Sequence, residues 1–134
     1  MSLSVTIRVR YAESDQMGVA YYSNYLIWFE VARAELMRKH GIPYSEWERT
    51  GLFLPVSECY CKYMTPAHYD ETLDIRCCTA EVRTRAVRFE YEIVRDASVL
   101  AKGHTVHVCT DKSAKPSTLP ASLREALLKA GKDC

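Results

Sequence analysis

The stretch from Ser23 to Gly41, S-N-Y-L-I-W-F-E-V-A-R-A-E-L-M-R-K-H-G, constrains the fold of this chain more than any other. Tyr25, Trp28, Phe29, Ala32 and Leu36 recur at the spacing of one face of an α-helix. Ser23 or Asn24 can cap its start, Arg38, Lys39 and His40 suit the negative end of its dipole, and Gly41 can stop it. Glu35 and Lys39 stand at the i,i+4 spacing of a favourable ion pair. The apolar residues spread over a wide arc, so the helix is expected to be covered on most sides, and the rest of the chain must supply the cover.

The rest of the chain has a different period. Residues 5–11, V-T-I-R-V-R-Y, alternate, with Val5, Ile7, Val9 and Tyr11 on one face and Thr6, Arg8 and Arg10 on the other. Residues 53–64, 72–83, 87–96 and 99–110 are rich in Val, Ile, Thr, Tyr and Cys and read as four further strands. The turn signals T-P-A-H-Y-D, R-T-R-A and R-D-A-S separate them. A short helix over 43–50 closes at Gly51, and residues 121–131 form a terminal amphipathic helix after Pro116 and Pro120. Strands in a run joined by short turns pair antiparallel, with helices gathered to one side, which is an α+β arrangement. An antiparallel sheet wrapped around the long helix satisfies both burial patterns. With 134 residues, 48% of them hydrophobic, residues 1–134 suit one domain with its own core.

Charge and composition remove several function classes. A net charge of +1 with both signs interspersed argues against a nucleic-acid binder. No run of roughly 18 apolar residues predicts a membrane span, and the N-terminus lacks a signal-peptide pattern, so a cytoplasmic protein is expected. Cys59, Cys61, Cys77, Cys78, Cys109 and Cys134 include no C-x-x-C and read as structural thiols of the core. His104 and His107 fall on opposite faces of one strand, and neither His40 nor His68 completes a ligand set, so no metal is expected. Nucleotide-binding glycine loops, the G-x-S-x-G elbow and H-E-x-x-H are absent.

The chemistry concentrates ahead of the long helix, in Y-A-E-S-D-Q-M-G-V-A-Y-Y-S-N-Y, residues 11–25. Asp15 precedes Gly18 by three residues and Tyr22 by seven, and Tyr22 lies about where the helix starts. A helix start offers unpaired N–H groups at the positive end of a dipole. A carbonyl oxygen placed there is polarised as in an oxyanion hole. A carboxylate beside it can attack the carbonyl carbon or activate a water. Gly18 lets the chain pass close to a ligand. Glu13, the competing carboxylate, is given a capping or salt-bridge role. Tyr21, Tyr25 and Trp28 read as core or as the wall of an acyl pocket.

These residues, with the following L-I-W-F-E-V-A-R, resemble the signature of the 4-hydroxybenzoyl-CoA thioesterase-like branch of the hotdog-fold superfamily, which includes YbgC-type acyl-CoA thioesterases. L-P-V-S-E-C-Y-C-K-Y-M-T-P-A-H-Y-D-E-T-L-D-I is similar to the family's second strand and P-A-x-Y-D turn, so the resemblance covers residues 4–111. It implies a curved antiparallel sheet around a central helix and hydrolysis of a small or aromatic acyl-CoA, with coenzyme A as part of the substrate and no separate cofactor. It matches Asp15 to the family's nucleophile or general base and Tyr22 to the residue whose backbone N–H polarises the thioester. Many YbgC-type members carry His where this chain has Tyr22. Gly18, Val19 and Tyr25 are the accompanying candidates for substrate binding. Arg83, Arg85 and Arg88 match the family's phosphate-binding turn loosely, and three guanidiniums in six residues can engage phosphates. The resemblance also implies sites shared between subunits, in a homodimer or a tetramer of paired dimers. The alternatives are hydrolysis of carrier-protein thioesters and acyl-CoA binding without catalysis. A hotdog hydratase is disfavoured because no His lies in residues 1–39.

Overall fold

A computed structural model describes residues 3–42, 44–131 and 134. Five strands, β1 (Leu3–Arg8), β2 (Val56–Tyr63), β3 (Thr72–Val82), β4 (Ala86–Arg95) and β5 (Ser98–Val108), form one sheet in the order β1-β3-β4-β5-β2. All its pairings are antiparallel, with Val5 opposite Ile75 and Phe89 opposite Thr105. Helix α1 (Asn24–Lys39) lies between β1 and β2 in sequence and packs on β1 and β3. Helices α2 (Tyr44–Arg49) and α3 (Ala121–Lys129) follow α1 and β5. Pro43, the first residue of the expected second helix, lies outside the described residues. The α+β architecture expected from the change of period is therefore present. Among the described residues, no helix is long and apolar enough to cross a membrane.

The alternation of β4 shows how the core forms. Val87, Phe89, Tyr91 and Ile93 are buried, while Arg88, Glu90 and Glu92 between them are only partly covered. Tyr25, Trp28, Phe29, Ala32 and Leu36 of α1 share that core. Phe29 stacks on Tyr91 with ring centroids 4.3 Å apart. The helix presses close enough that a Cβ at Gly103 would lie 2.6 Å from the Phe29 ring. Glycine at that position is what allows the approach.

Four expectations are corrected. The first strand stops at Arg8, and Tyr11 is 80% exposed rather than on the buried face. A 3₁₀ turn over Tyr11–Glu13 takes the chain off the sheet, because the Glu13 carboxylate accepts the Arg10 N–H at 2.8 Å. The long helix is covered on one side only, since Leu26, Ile27 and Val31 are 39%, 49% and 39% exposed. Cys59 is exposed, not core. Cys78 is joined to Cys134 by a disulfide across 56 residues of sequence. Local spacing gave no sign of this pair; the end of α3 returns over β3, and a Cβ on Gly131 would meet the Thr79 carbonyl at 2.5 Å. His104 and His107 do face opposite sides, His107 buried and His104 hydrogen-bonded to Glu58 and Arg88 on the outer face.

Candidate active site

Residues 13–25 form a compact loop ahead of α1. Ser14 and Ala20 pair across it, the Asp15 N–H donates to the Val19 carbonyl at 2.9 Å, and the Gly18 N–H donates to the Asp15 carbonyl at 3.1 Å. Gly18 turns the chain with φ +77°. A Cβ there would meet no atom within 4 Å, so within one chain the requirement is conformational rather than steric. The turn after β2 braces the loop: Ala20 N–H donates to the Ala67 carbonyl at 2.7 Å, Tyr69 N–H to the Gly18 carbonyl at 3.0 Å, and Val19 pairs with His68. Tyr25 is buried, and its hydroxyl accepts the Ala67 N–H at 3.2 Å. Tyr25 thereby fastens this turn to the helix.

The two carboxylates of the loop have different environments. Glu13 is 5% exposed, and its second oxygen accepts the Trp28 indole N–H at 2.9 Å. Burial alone would raise its pKa, but the Arg10 amide, the Trp28 indole and the Arg10 guanidinium together bring it below the usual carboxylate value. Asp15 is exposed at the tip. Its Oδ1 accepts N–H groups from Met17 at 2.8 Å and Val19 at 3.3 Å. Its Oδ2 takes no hydrogen bond among the described residues. One oxygen is thus anchored and the other is open to a water or an electrophile.

The start of α1 is similarly open. Ser23 occupies the cap position without a side-chain cap bond. Asn24 donates to the Glu13 and Tyr21 carbonyls at 2.9 and 3.2 Å instead of accepting from the helix. The expected cap by either residue is therefore not made. No acceptor among the described residues takes the Tyr22 N–H. The residue itself is pinned, because its carbonyl accepts the Tyr63 hydroxyl at 3.0 Å and the Tyr25 N–H at 3.3 Å. An anchored carboxylate and a fixed, unpaired amide at a helix start can together attack and polarise a carbonyl.

Sequence reasoning missed Asn24 and Tyr63 as supports. Tyr63 lies 41 residues from Tyr22, and only the return of β2 joins them. The three arginines have different partners. Arg83 is engaged by Glu81 through two bonds of 2.9 and 3.1 Å, and Arg88 contacts Glu90 and His104. Arg85 is exposed with no side-chain partner among the described residues.

Comparison with known proteins places this loop and sheet in a wider group. A family model described as Thioesterase-like superfamily matches residues 9–127. YneP of Bacillus subtilis is 39% identical over 112 residues, covering 82% of this chain and 81% of its own. The acyl-CoA thioester hydrolase YbgC of Escherichia coli is 29% identical over 119 residues, covering 87% and 89%. The crystal structure of DHNA-CoA thioesterase from Staphylococcus aureus, 30% identical, superposes with a TM-score of 0.89 over 94% of this chain and 88% of that one. With the family model spanning most of the domain and the sheet wrapped around α1 as in the solved relatives, the chain belongs to the thioesterase-like superfamily and has its hotdog fold.

Proposed function

We propose that this enzyme hydrolyses acyl-CoA thioesters to the free acid and coenzyme A, with Asp15 and the Tyr22 amide as its reacting groups. One observation carries the reading: the Asp15 carboxylate is held through Oδ1 while Oδ2 has no partner, on the loop that leads directly into the unpaired Tyr22 N–H. A thioester carbonyl whose oxygen accepts that N–H gains stabilisation as negative charge develops. Asp15 Oδ2 then adds to the carbonyl carbon, or removes a proton from a water that adds. The C–S bond breaks as the tetrahedral centre collapses, and the sulfur leaves as thiolate. In the nucleophilic route a water afterwards cleaves the mixed anhydride and restores the carboxylate. Gly18 and Val19 border the reacting carboxylate, Tyr25 positions the turn beneath them, and of Arg83, Arg85 and Arg88 it is Arg85 that can meet a phosphate without first breaking an ion pair. The activity in the name of the E. coli relative supports the substrate class.

The functional unit in this reading is a pair of copies. Leu26, Ile27 and Val31 on α1 are exposed, as is Tyr63 on the helix side of β2, and β2 is an unpaired edge of the sheet. An edge strand of eight residues is a ready template for a second strand. The test is thiol release across short, branched, long and aromatic acyl-CoAs. Asn at position 15 keeps an Oδ1 acceptor for the Met17 and Val19 amides, so Asp15→Asn is expected to fold normally and lose on the order of 10²–10⁴-fold in kcat. Retention of near wild-type turnover overturns the assignment.

A further inference from the structure

Helix α1 carries a charged residue, Arg33, four positions after Phe29 on the helix face that meets the sheet. Its Nη1 donates to the Tyr91 hydroxyl at 3.0 Å. Tyr91 is 2.7 Å from the Thr105 hydroxyl, which is 2.9 Å from His107 Nε2, and His107 Nδ1 is 2.9 Å from the Leu54 carbonyl. The direction of this chain is set from its far end. A carbonyl only accepts, so Nδ1–H donates to Leu54. Burial first, with the Arg33 charge adding to it, lowers the His107 pKa to about 4, so the ring is neutral and Nε2 accepts. Thr105 therefore donates to His107, Tyr91 donates to Thr105, and Tyr91 accepts from Arg33. Each donor inside the sheet has its acceptor, and the relay holds one edge of the guanidinium.

The remaining Arg33 N–H groups meet no acceptor, and no carboxylate lies within ion-pair distance, among the described residues. Arg33 and His107 line a cavity of about 560 Å³ between α1, α2 and the start of β2. Met37, Leu54 and Phe89 give it apolar walls. Glu30 and Glu48, both exposed, also line it, and neither pairs with Arg33. A partly buried guanidinium with N–H donors to spare, beside an apolar chamber, offers a charged donor to a ligand that enters it.

We propose that this cavity receives the acyl group and that Arg33 selects acyl groups whose far end carries an acceptor oxygen, a carboxylate or a phenol. The proposal rests on the thioesterase reading above. Asp15 and Tyr22 do not line the cavity. Arg33 lies roughly 14 Å along the helix from Asn24 at about 1.5 Å per residue, so the cavity serves the Asp15 of a second copy. The exposed Leu26 and Ile27 fall midway between Tyr22 and Arg33. A two-fold axis there, with the helices antiparallel, sets one copy's Arg33 opposite the other's Tyr22.

The test compares kcat/KM for acyl-CoAs matched in size, glutaryl against valeryl and 4-hydroxybenzoyl against 4-methylbenzoyl, in the wild type, Arg33→Met and Arg33→Lys. The expected result is a preference of tenfold or more for the oxygen-bearing member of at least one pair. Arg33→Met should lose that preference, and Arg33→Lys should keep part of it for glutaryl. No wild-type preference in either pair, or a preference that survives Arg33→Met, overturns the proposal. If Arg33→Met does not fold, Arg33→Gln, which removes the charge but keeps a polar side chain, decides by the glutaryl-to-valeryl ratio: a preference left intact counts against the proposal. If the wild type hydrolyses no thioester, the enzyme reading has failed. Calorimetric binding of glutarate and 4-hydroxybenzoate then decides the pocket. Binding by the wild type and not by Arg33→Met upholds it, and equal or absent binding overturns it.

Discussion

Glu13→Gln isolates the hydrogen bonds that hold the Asp15 loop, because it changes a single oxygen. The carboxylate uses its two oxygens separately, one for the Arg10 amide at 2.8 Å and the other for the Trp28 indole at 2.9 Å. Glutamine offers one oxygen and one NH₂, so either the part-buried Arg10 amide or the buried Trp28 indole must face another donor. Trp28 is 2% exposed and has no water to turn to. An unsatisfied buried donor costs about 1–3 kcal/mol. The Arg10 ion pair adds little, since that guanidinium is 72% exposed. For a domain of this size the loss corresponds to a fall in Tm of roughly 4–12 °C. Activity should fall as well, because the Glu13 carbonyl accepts the Tyr21 amide and the Asn24 side chain, and so sets the approach to Tyr22. The Glu13 pKa is lower in the fold than the usual 4.5, so its stabilisation is present above that value and is lost as pH falls through the folded value. The gap in Tm between wild type and Glu13→Gln should therefore be widest at neutral pH and shrink below about pH 4.5. Thermal melts by circular dichroism at neutral and acid pH provide the measurement. A neutral-pH difference under about 1 °C, or a gap that does not narrow in acid, refutes the reasoning.

Three further outcomes are expected. Tyr63→Phe removes the hydroxyl that fixes the Tyr22 carbonyl at 3.0 Å but keeps its ring, so kcat should drop about three- to tenfold with little change in Tm, and steady-state kinetics beside a melt will show whether the two separate. His107, with its pKa lowered to about 4 from 6.5, contributes stability that is complete above pH 6.5 and is lost as pH falls toward 4. That contribution reaches about 3 kcal/mol at most, and urea titrations across this range should show a shallower acid loss in His107→Asn. Ile27→Glu places a charge in the exposed apolar stripe of α1, so sedimentation velocity should find monomer where the wild type is paired, with turnover lost in parallel.

The change of period along the chain made most of this fold legible. Helix α1 and the strands β2 to β5 were readable because alternating and helical spacings cannot be satisfied by the same backbone. Boundaries were less legible where a side chain overrides the pattern. Tyr11 continues the alternation of β1 on paper, yet the Glu13 cap on Arg10 ends the strand before it. The exposure of Leu26, Ile27 and Val31 was also hidden, since apolar spacing shows that a face is to be covered but not whether its own chain covers it. At the site, Asp15, Gly18 and Tyr22 could be singled out because they are neighbours in sequence. Tyr63, Ala67 and the relay from Arg33 to Leu54 join residues far apart in the chain, and no local pattern announces them.

Glu13 and Asp15 show why residue type could not by itself assign the carboxylates. Both are acids on one short loop, two positions apart, and both precede the same helix. The 3₁₀ turn directs Glu13 inward, where two N–H donors from Arg10 and Trp28 occupy both of its oxygens. The Gly18 turn leaves Asp15 at the tip, where two amides occupy one oxygen only. A carboxylate with both oxygens engaged and no solvent around it holds structure. A carboxylate with one oxygen engaged has a fixed direction and a lone pair still available. The difference between support and reacting group is thus a difference in how many donors the surrounding backbone supplies. Exchanging the residues, Glu13→Asp with Asp15→Glu, should not exchange the roles, because the donors that define them stay where the turns put them.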